Sequence, residues 1–532
     1  MRPIRGVILA TVSIVALTQS ISVGADIQPV DFTHNAVDAP APVAGAVFGT
    51  GPAVKTGTAL CTTATQATAN ATTDCETSSV GPHNETSIAV NPTDPLNMIG
   101  GANDYQLGLN PGGHVSETVL SRAHVTFDGG KTWSMYPVNS SSTYQATGDP
   151  ALAFDASGRA YYATLGFRFV GPGNAQNPDV LVSTSGDEGR TWNTARVAQG
   201  SGVFSSVGDL LDKEYVAAWD SGNAIVTYGD FRLGQKGAFI SAKIYSSVTH
   251  DGGNSWSTPA LISGSLDQAF VSIPAVAADG RIFVAFLNTT DLSTGRDDYE
   301  VVEVSPSTGE RIAGPTKVAT TIDGFTDYPI ALGRQTYQDS TFRTWAAGNI
   351  ATDPTNAAHL AVVWSDMRNS TTPANGNPYI AKTNSDVIVS QSFDRGAHWT
   401  PPTSLVLAGD QFMPWGAYDT AGRLRIGMFD RSADAANHMY NYSLATETGP
   451  GTLAFTSAAV STAQSDPTKG NRWFAPTLNP DFPRPTAFIG DYSNIAATAG
   501  GGVVAYWTDL RNDVTFAGLT KKGEDAYFAK LS

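Results

Sequence analysis

Four eight-residue segments share one turn pattern, and this repetition constrains the fold more than any other feature of the chain. The pattern is Ser/Thr-x-Asp-x-Gly-x-x-Trp, in TFDGGKTW (126–133), SGDEGRTW (185–192), THDGGNSW (249–256) and SFDRGAHW (392–399). The aspartate can accept backbone hydrogen bonds inside the turn, and the glycine permits a positive φ. The tryptophan begins the returning strand and buries its ring beneath the turn. These four segments, called the Trp turns below, predict a structural unit that the chain uses repeatedly.

A second repeat, of two β-rich runs separated by an Asp/Gly turn, interleaves with the Trp turns. Its copies lie at 85–104, 149–166, 214–232, 273–288, 349–368, 414–431 and 492–511. Each copy is followed by a third strand, such as DVLVSTS (179–185), and in most units by a turn and a fourth strand. Tandem four-stranded units with almost no helical periodicity predict an all-β fold, a seven-bladed β-propeller, with six blades as the alternative.

The seventh unit stops at its third strand, DAYFAKLS (525–532), so its fourth strand must come from elsewhere. Residues 26–81, rich in Ala, Thr and Pro, are predicted to form an extended N-terminal arm that supplies this strand. Such an exchange would remove exposed sheet edges from the first and last blades. The propeller itself is assigned to residues 82–532.

The N-terminal residues predict export. Residues 1–25 carry Arg2 and Arg5 before an apolar run and end in small residues, which is typical of a secretory signal peptide. Outside the cell, the chain's two cysteines, Cys61 and Cys75, are expected to form a disulfide. We therefore expect a secreted, extracellular protein.

Composition and missing motifs exclude several classes of function. The formal net charge of −16 and the lack of a basic patch argue against nucleic acid as a partner. No later segment is apolar enough to predict a membrane span, and a monomer is expected. The sequence has no HExxH motif, phosphate loop or nucleophile elbow, so no cofactor is expected, although an Asp/Gly turn could hold a structural Ca²⁺.

The Trp turns resemble the Asp boxes, also called BNR repeats, of the sialidase superfamily. The resemblance covers roughly residues 82–532 and is to the secreted, sialidase-like members. It implies a carbohydrate-active enzyme, a sialidase-like exo-glycosidase that hydrolyses extracellular glycans. Propellers of this kind also include polysaccharide lyases and non-catalytic binders of glycan or protein, so whether the chain is an enzyme stays open at this point.

The resemblance also nominates catalytic residues. Sialidases attack with a tyrosine activated by a glutamate, bind the sugar carboxylate with three arginines and use an aspartate as acid/base. GDYSNIA (490–496) resembles the family's Tyr-Ser motif in a late blade, which points to Tyr492. The family's first Arg-Ile-Pro motif has no counterpart, and Glu85 stands near the place of its arginine. The site is therefore expected to prefer a neutral sugar, or one whose carboxylate reaches arginines of other blades.

Charged residues recur at the strand ends that lie opposite the Trp turns. Second strands end in YGDFR, WSDMR, MFDR and WTDLR, and inner strands open with further acids. The prediction is a polar funnel around the propeller axis in which arginines grip sugar groups and carboxylates act as acid or base. Its catalytic residues are Tyr492, Glu85 and Asp104, and its substrate-binding residues are Arg168, Arg232, Arg368, Arg431, Arg511, Asp149 and Asp491.

Structural interpretations of the same residues remain open. The repeated Asp–Arg pairs could hold neighbouring blades together, since a catalytic site needs only one copy of each group. Tyr492 could pack at a blade junction with its hydroxyl bonded to the backbone. His83, two residues before Glu85, could join a site on the same face.

Overall fold

The strands follow one another with hardly any helix between them. The computed structural model describes residues 57–76, 81–109, 115–139, 143–168, 175–203, 207–331, 334–371, 376–378, 380–467, 488–516 and 519–532. The first half contains β1 (Cys61–Thr62), β2 (Ala69–Thr72), β3 (His83–Val90), β4 (Met98–Leu109), β5 (Val115–Thr126), β6 (Ser134–Pro137), β7 (Ala146–Phe154), β8 (Ala160–Phe167), β9 (Asp179–Ser185), β10 (Asn193–Ala198), β11 (Ser201–Gly202), β12 (Gly208–Trp219), β13 (Asn223–Leu233), β14 (Phe239–Thr249), β15 (Ala260–Leu261), β16 (Ala269–Val276) and β17 (Ile282–Asp291).

The second half continues the pattern. It contains β18 (Arg296–Val304), β19 (Arg311–Thr320), β20 (Ile330–Ala331), β21 (Arg334–Gln335), β22 (Gly348–Thr352), β23 (Leu360–Asp366), β24 (Asp386–Ser392), β25 (Thr403–Leu405), β26 (Gln411–Tyr418), β27 (Leu424–Asp430), β28 (Asn441–Glu447), β29 (Phe455–Ala459), β30 (Asn494–Ala497), β31 (Val503–Asp509), β32 (Asp513–Phe516), β33 (Leu519–Lys522) and β34 (Asp525–Leu531). The helical structure of the described residues is a short 3₁₀ turn at Gln235–Gly237.

Seven antiparallel sheets form the blades, which confirms the predicted seven-bladed propeller. From the inner strand outwards they are blade 1 (β3 to β6), blade 2 (β7 to β10), blade 3 (β12 to β15), blade 4 (β16 to β19), blade 5 (β22 to β25), blade 6 (β26 to β29) and blade 7 (β30, β31, β34 and β2). In six blades the strand order follows the sequence, because each strand pairs with the next by a hairpin connection.

Blade 7 takes its outermost strand from the N-terminal side of the chain. Strand β2 pairs antiparallel with β34, and β1 pairs with β6 at the outer edge of blade 1. The predicted closure by strand exchange is therefore present. The Cys61–Cys75 disulfide is also present, and it links the segments that flank β2. The proposed signal peptide, and the arm up to residue 56, lie outside the described residues.

The middle strands are buried on both faces because each blade is packed between two others. Every residue of β8 (AYYATLGF) and of β23 (LAVVWSD) is buried. Close packing of blade 1 requires two glycines in β4. A Cβ on Gly100 would lie 2.8 Å from the ring of Tyr506 in blade 7, and one on Gly101 would lie 2.3 Å from the hydroxyl of Tyr162 in blade 2.

The Trp turns are hydrogen-bonded as their sequence predicts. In the first turn, Oδ1 of Asp128 accepts the backbone N–H groups of Lys131 and Thr132, at 3.0 and 2.9 Å. The indole N–H of Trp133 donates to the carbonyl of Gly130 at 3.2 Å. The aspartates of the other three turns accept equivalent bonds from residues three or four positions later. These bonds are internal to the turn, so the aspartates act as structural residues.

A β-bulge at the start of the inner strands determines what faces the axis. Pairing with the second strand shifts in register in blades 1, 2, 3, 4 and 6. At each shift one non-glycine residue has a positive φ, between 47° and 57°: Glu85, Asp149, Lys213, Val271 and Met413. A bulge of this kind redirects a side chain. Ala347 and Tyr492 stand at the equivalent positions of blades 5 and 7. These seven residues are called the axial ring.

Candidate active site

The axial ring brings a buried lysine into contact with three carboxylates from other blades. Nζ of Lys213 lies 3.2 Å from Glu85 Oε1, 3.2 Å from Asp149 Oδ2 and 2.6 Å from Asp491 Oδ2. All four side chains are nearly inaccessible to solvent. Blades 1, 2, 3 and 7 thus meet at one ammonium group.

Arg343, which precedes blade 5, adds a second cation. Its Nε donates to Asp491 Oδ1 at 2.7 Å, and its Nη2 contacts Asp491 Oδ2, so the guanidinium binds both carboxylate oxygens. A bidentate pair of this kind fixes the orientation of the carboxylate plane and favours the ionised form of the carboxyl group. Lys213, Arg343, Glu85, Asp149 and Asp491 are called the axial cluster.

Aromatic rings surround the axial cluster. Nζ of Lys213 lies 5.4 Å from the ring centroids of both Trp345 and Tyr492, within the range of cation–π attraction. Tyr215 stacks on Trp415 with centroids 5.7 Å apart. A cavity opens between these rings, and its lining includes Lys213, Tyr215, Val271, Trp345, Ala347, Met413, Trp415, Asp491 and Tyr492. Half-buried Trp415 is the most exposed of these aromatic side chains.

The pKa values of two carboxyl groups of the cluster are shifted in opposite directions. Burial and the Asp149 carboxylate raise the pKa of Glu85 well above its usual range, and Lys213 offsets this only in part. Burial also disfavours ionised Asp491, but Arg343 and Lys213 outweigh it and hold the pKa of Asp491 below its usual value. Glu85 and Asp491 are hydrogen-bonded to each other. These opposite directions favour the proton of the pair on Glu85 rather than on Asp491.

Two further acids flank Lys213 in β12. Asp212 and Glu214 are fully buried, and their carboxyl oxygens accept no side-chain hydrogen bond within the described part of the chain. Burial raises the pKa of both groups well above the usual range. Neutral carboxylic acids are the state that such surroundings favour.

Tyr492 lines the cavity, but its hydroxyl is used by the backbone. The hydroxyl donates to the carbonyl of Pro150 at 3.1 Å. Burial, together with Tyr215 and nearby carboxylates, raises the pKa of Tyr492 well above its usual value. Both observations favour the packed blade-junction interpretation over that of an ionised nucleophile.

The five arginines predicted to bind substrate are absent from the cavity lining. Arg368 and Arg511 bind the aspartates two residues before them, Asp366 and Asp509. Fully buried Arg431 binds Asp410 instead of the neighbouring Asp430. Arg168 pairs with Asp179 at 3.2 Å, and Arg232 pairs with Asp209 while its side chain stays 64% exposed. Each of the five pairs lies within a single blade, so these ion pairs do not hold neighbouring blades together as the structural interpretation supposed.

Asp104 also lies outside the axial cluster. It faces His83 in a second buried group between blades 1 and 7, where its carboxylate is 3.3 Å from Arg122. Of the predicted site residues, the structure therefore brings together Tyr492, Glu85, Asp149 and Asp491. Asp104 and the residues that contact it are therefore not part of the candidate active site.

Lys213 and Arg343 were missed by the sequence reasoning. Lys213 stands between Asp212 and Glu214, at the same strand position as Glu85 and Asp149, so alignment of the inner strands could have found it. Arg343 stands five residues before β22, outside every repeat, so no sequence pattern points to it. Its contact with Asp491 spans 148 residues.

Comparisons with known proteins bear on the fold. No family model matches the chain, and no curated protein is similar in sequence. Similar solved structures include a Hadza microbial sialidase (11% identity, 78% of this chain and 75% of that chain, TM-score 0.42). An α-L-arabinofuranosidase of Fusarium graminearum bound to arabinobiose has 13% identity over 87% of this chain and 97% of that chain, with a TM-score of 0.42. A polysaccharide lyase, an ulvan lyase, has 13% identity over 65% and 76%, with a TM-score of 0.40.

The described residues contain no helix long and apolar enough to cross a membrane.

Proposed function

We propose that the protein is a carbohydrate-active hydrolase that cleaves a glycan at the axial cavity. The feature that carries this proposal is the hydrogen-bonded Glu85–Asp491 pair, whose pKa values are shifted in opposite directions beside an aromatic cavity. Two carboxyl groups in direct contact share one proton and act as a single acid/base, unlike the separated acid and nucleophile of most glycosidases.

The roles follow from the positions of the groups. Asp491 lines the cavity and faces the substrate, and Glu85 lies behind it as the source of the shared proton. Half-buried Trp415 supplies a flat apolar surface against which a sugar ring can stack, beside the buried rings of Trp345 and Tyr492. Lys213 and Arg343 keep Asp491 ionised until it accepts the proton of Glu85 and passes it to the leaving-group oxygen as the glycosidic C–O bond breaks. A water molecule then adds to the sugar carbon and returns a proton to the pair.

The charge balance supports a neutral sugar as substrate. Lys213 is ion-paired with Glu85, Asp149 and Asp491, and Arg343 is ion-paired with Asp491. A sugar carboxylate entering this cavity would find both cations already engaged. This disfavours sialic acid for an exo-glycosidase and uronates for a lyase.

The location of the protein is part of the same proposal. The Cys61–Cys75 disulfide fits an oxidising compartment, in agreement with the signal peptide expected from the sequence. The proposed substrate is therefore an extracellular glycan. Sequencing the N-terminus of the exported protein would test this, and we expect it to begin after Ala25.

The activity test uses a panel of aryl glycosides and oligosaccharides, both neutral and acidic. We expect turnover of a neutral substrate, and a loss of at least about 100-fold in kcat/KM for Glu85→Gln and Asp491→Asn, the scale of removing a positioned acid or base. Glu447→Gln is the matched control, because Glu447 is equally buried but lies in the outer part of blade 6. If both axial variants match the parent, the assigned site is wrong.

A non-catalytic glycan-binding propeller is the second candidate. It is favoured by the bond from the Tyr492 hydroxyl to Pro150 and by the ion pairs that already occupy Asp491. Calorimetric binding of an oligosaccharide that the parent protein never cleaves would support this candidate. Trp345→Ala would then weaken binding, whereas Glu85→Gln would leave it nearly unchanged.

A further inference from the structure

A second buried cluster lies where the propeller ring closes, between blades 1 and 7. His83 on β3, Asp104 on β4 and His124 on β5 each offer one potential ligand atom, and these three atoms lie within 4.8 Å of one another. All three side chains are fully buried. His83 and Asp104 stand directly opposite each other in the β3–β4 ladder, so the backbone register places them together.

The cluster contains ring nitrogens without hydrogen-bond partners. Within the described residues, neither Nδ1 nor Nε2 of His83 is hydrogen-bonded, and Nε2 of His124 is not either. Nε2 of His83 lies 3.5 Å from Asp104 Oδ1, farther than a normal hydrogen bond. A buried polar atom left without a partner costs about 1–3 kcal/mol. Three such atoms in one fully buried cluster indicate a ligand that would satisfy them.

His124 is already oriented for metal ligation. Its Nδ1 lies 2.7 Å from Thr73 Oγ1 and 3.2 Å from the Tyr506 hydroxyl. The Thr73 hydroxyl can donate its hydrogen to the Ala526 carbonyl, so its oxygen can accept a hydrogen bond from Nδ1–H of His124. That tautomer leaves the lone pair on Nε2, which faces the cluster. Metal-binding histidines use their other nitrogen in this way.

Surplus negative charge favours a cation here. Asp74, just after β2, and Asp525, at the start of β34, each bring a carboxyl oxygen within 4.8 Å of a ligand atom of His83. Together with Asp104 they place three acids around His83, while Arg122, which also pairs with Glu76, lies 3.3 Å from Asp104. Two imidazoles with carboxylates form a donor set suited to zinc rather than calcium, which prefers oxygen ligands alone.

We propose that His83, His124 and Asp104 bind a divalent transition metal, zinc foremost, with Asp74 or Asp525 completing the coordination. Asp74 belongs to the arm, His83 to blade 1 and Asp525 to blade 7. The metal would therefore tie blade 1 to the arm through Asp74, or to blade 7 through Asp525, next to the Cys61–Cys75 disulfide. This role is structural and independent of the proposed glycan chemistry.

The experiment titrates Zn²⁺ and Co²⁺ into full-length protein that has been stripped by a chelator and dialysed. We expect one equivalent to bind, an increase in the thermal unfolding temperature with Zn²⁺, and visible Co²⁺ bands typical of nitrogen and oxygen ligands. Parent protein that binds neither metal in the micromolar range would overturn the proposal.

Variants separate this site from adventitious binding. His83→Asn and His124→Asn should lose the bound equivalent, and the metal should no longer raise their unfolding temperature. His359→Asn is the control, because His359 is also buried but both its nitrogens are used, by Asp353 at 2.9 Å and Tyr418 at 3.1 Å. One equivalent retained by both cluster variants would place the metal elsewhere and refute the assignment. The parent measurement decides the matter even if a variant fails to fold.

Discussion

The two sides of the axial ring occupy equivalent strand positions but differ in the polarity of their side chains. Blades 7, 1, 2 and 3 contribute Tyr492, Glu85, Asp149 and Lys213, whereas blades 4, 5 and 6 contribute only apolar residues at the same positions. Val271 and Met413 adopt the positive φ of the bulge as Glu85 and Lys213 do, although a β-branched residue is rare in this region.

The comparison shows that the bulge does not require a charged side chain. A fold that accepts Val271 and Met413 at two blades could accept apolar residues at the others, and buried ions are costly to desolvate. The charged half is therefore not a requirement of the propeller. Its confinement to four adjacent blades favours a single polar site at one side of the axis, and the following predictions test that difference.

The largest expected effect is the loss of the lysine on the charged side. Lys213→Met would leave the buried Asp149 without the ammonium group that contacts it and Asp491 with Arg343 alone, and we expect the free energy of unfolding to fall by about 3–5 kcal/mol. Met413→Leu, on the apolar side, conserves volume and should cost less than about 1.5 kcal/mol. Urea denaturation of both variants measures the contrast. Equal losses would mean that the two sides are energetically alike.

The charged side should also make stability depend on pH. Burial raises the pKa of Glu214, so above its ordinary value of 4.5 the folded state binds more protons than the unfolded state. The free energy of unfolding should therefore fall as pH rises through this window, by at most about 1.4 kcal/mol per pH unit for this group. Below pH 4.5 this contribution is fully present.

Glu214→Gln should flatten this slope in urea titrations between pH 4 and 8, and the variant should be more stable than the parent at neutral pH. Met413→Leu should retain the slope of the parent. The raised pKa values of Asp212 and Glu85 contribute to the slope in both proteins, so only a slope in Glu214→Gln as steep as that of the parent would show that Glu214 adds nothing to it.

A smaller effect is expected for the aromatic member of the charged side. Tyr492→Phe removes the hydroxyl bond to Pro150 and should cost about 0.5–1.5 kcal/mol of stability. If the protein hydrolyses a glycan, kcat should change little, because the hydroxyl is committed to the backbone. Loss of turnover in a variant as stable as the parent would restore Tyr492 as the nucleophile.

The smallest effect is expected away from the axis. Arg232 is 64% exposed and pairs with Asp209, so Arg232→Gln should change stability by no more than about 1 kcal/mol and leave activity unchanged. Thermal unfolding and the glycoside assay measure the two quantities. A marked loss of activity would return this arginine to the substrate site.

Much of the fold could be predicted from local sequence. The Trp turns and the paired strands recur along the chain. Each repeat predicts one blade, because the hydrogen bonds of a blade join segments that are neighbours in the sequence. The missing strand of the seventh unit likewise required the arm, and β2 supplies it. Glu85, Asp149 and Asp491 were also found, because inner-strand starts must converge on the axis of a propeller.

What the tertiary structure alone decided is which charges meet. The sequence places acids and arginines at equivalent strand ends, yet Arg431 binds Asp410 and Arg232 binds Asp209, so spacing does not determine partners. The axial cluster joins Lys213 to Asp491 across 278 residues, a contact that only ring closure creates. The sequence thus determined the blades, since each depends on local pairing. The site depended on the closed ring, because Coulomb interactions and desolvation act through space.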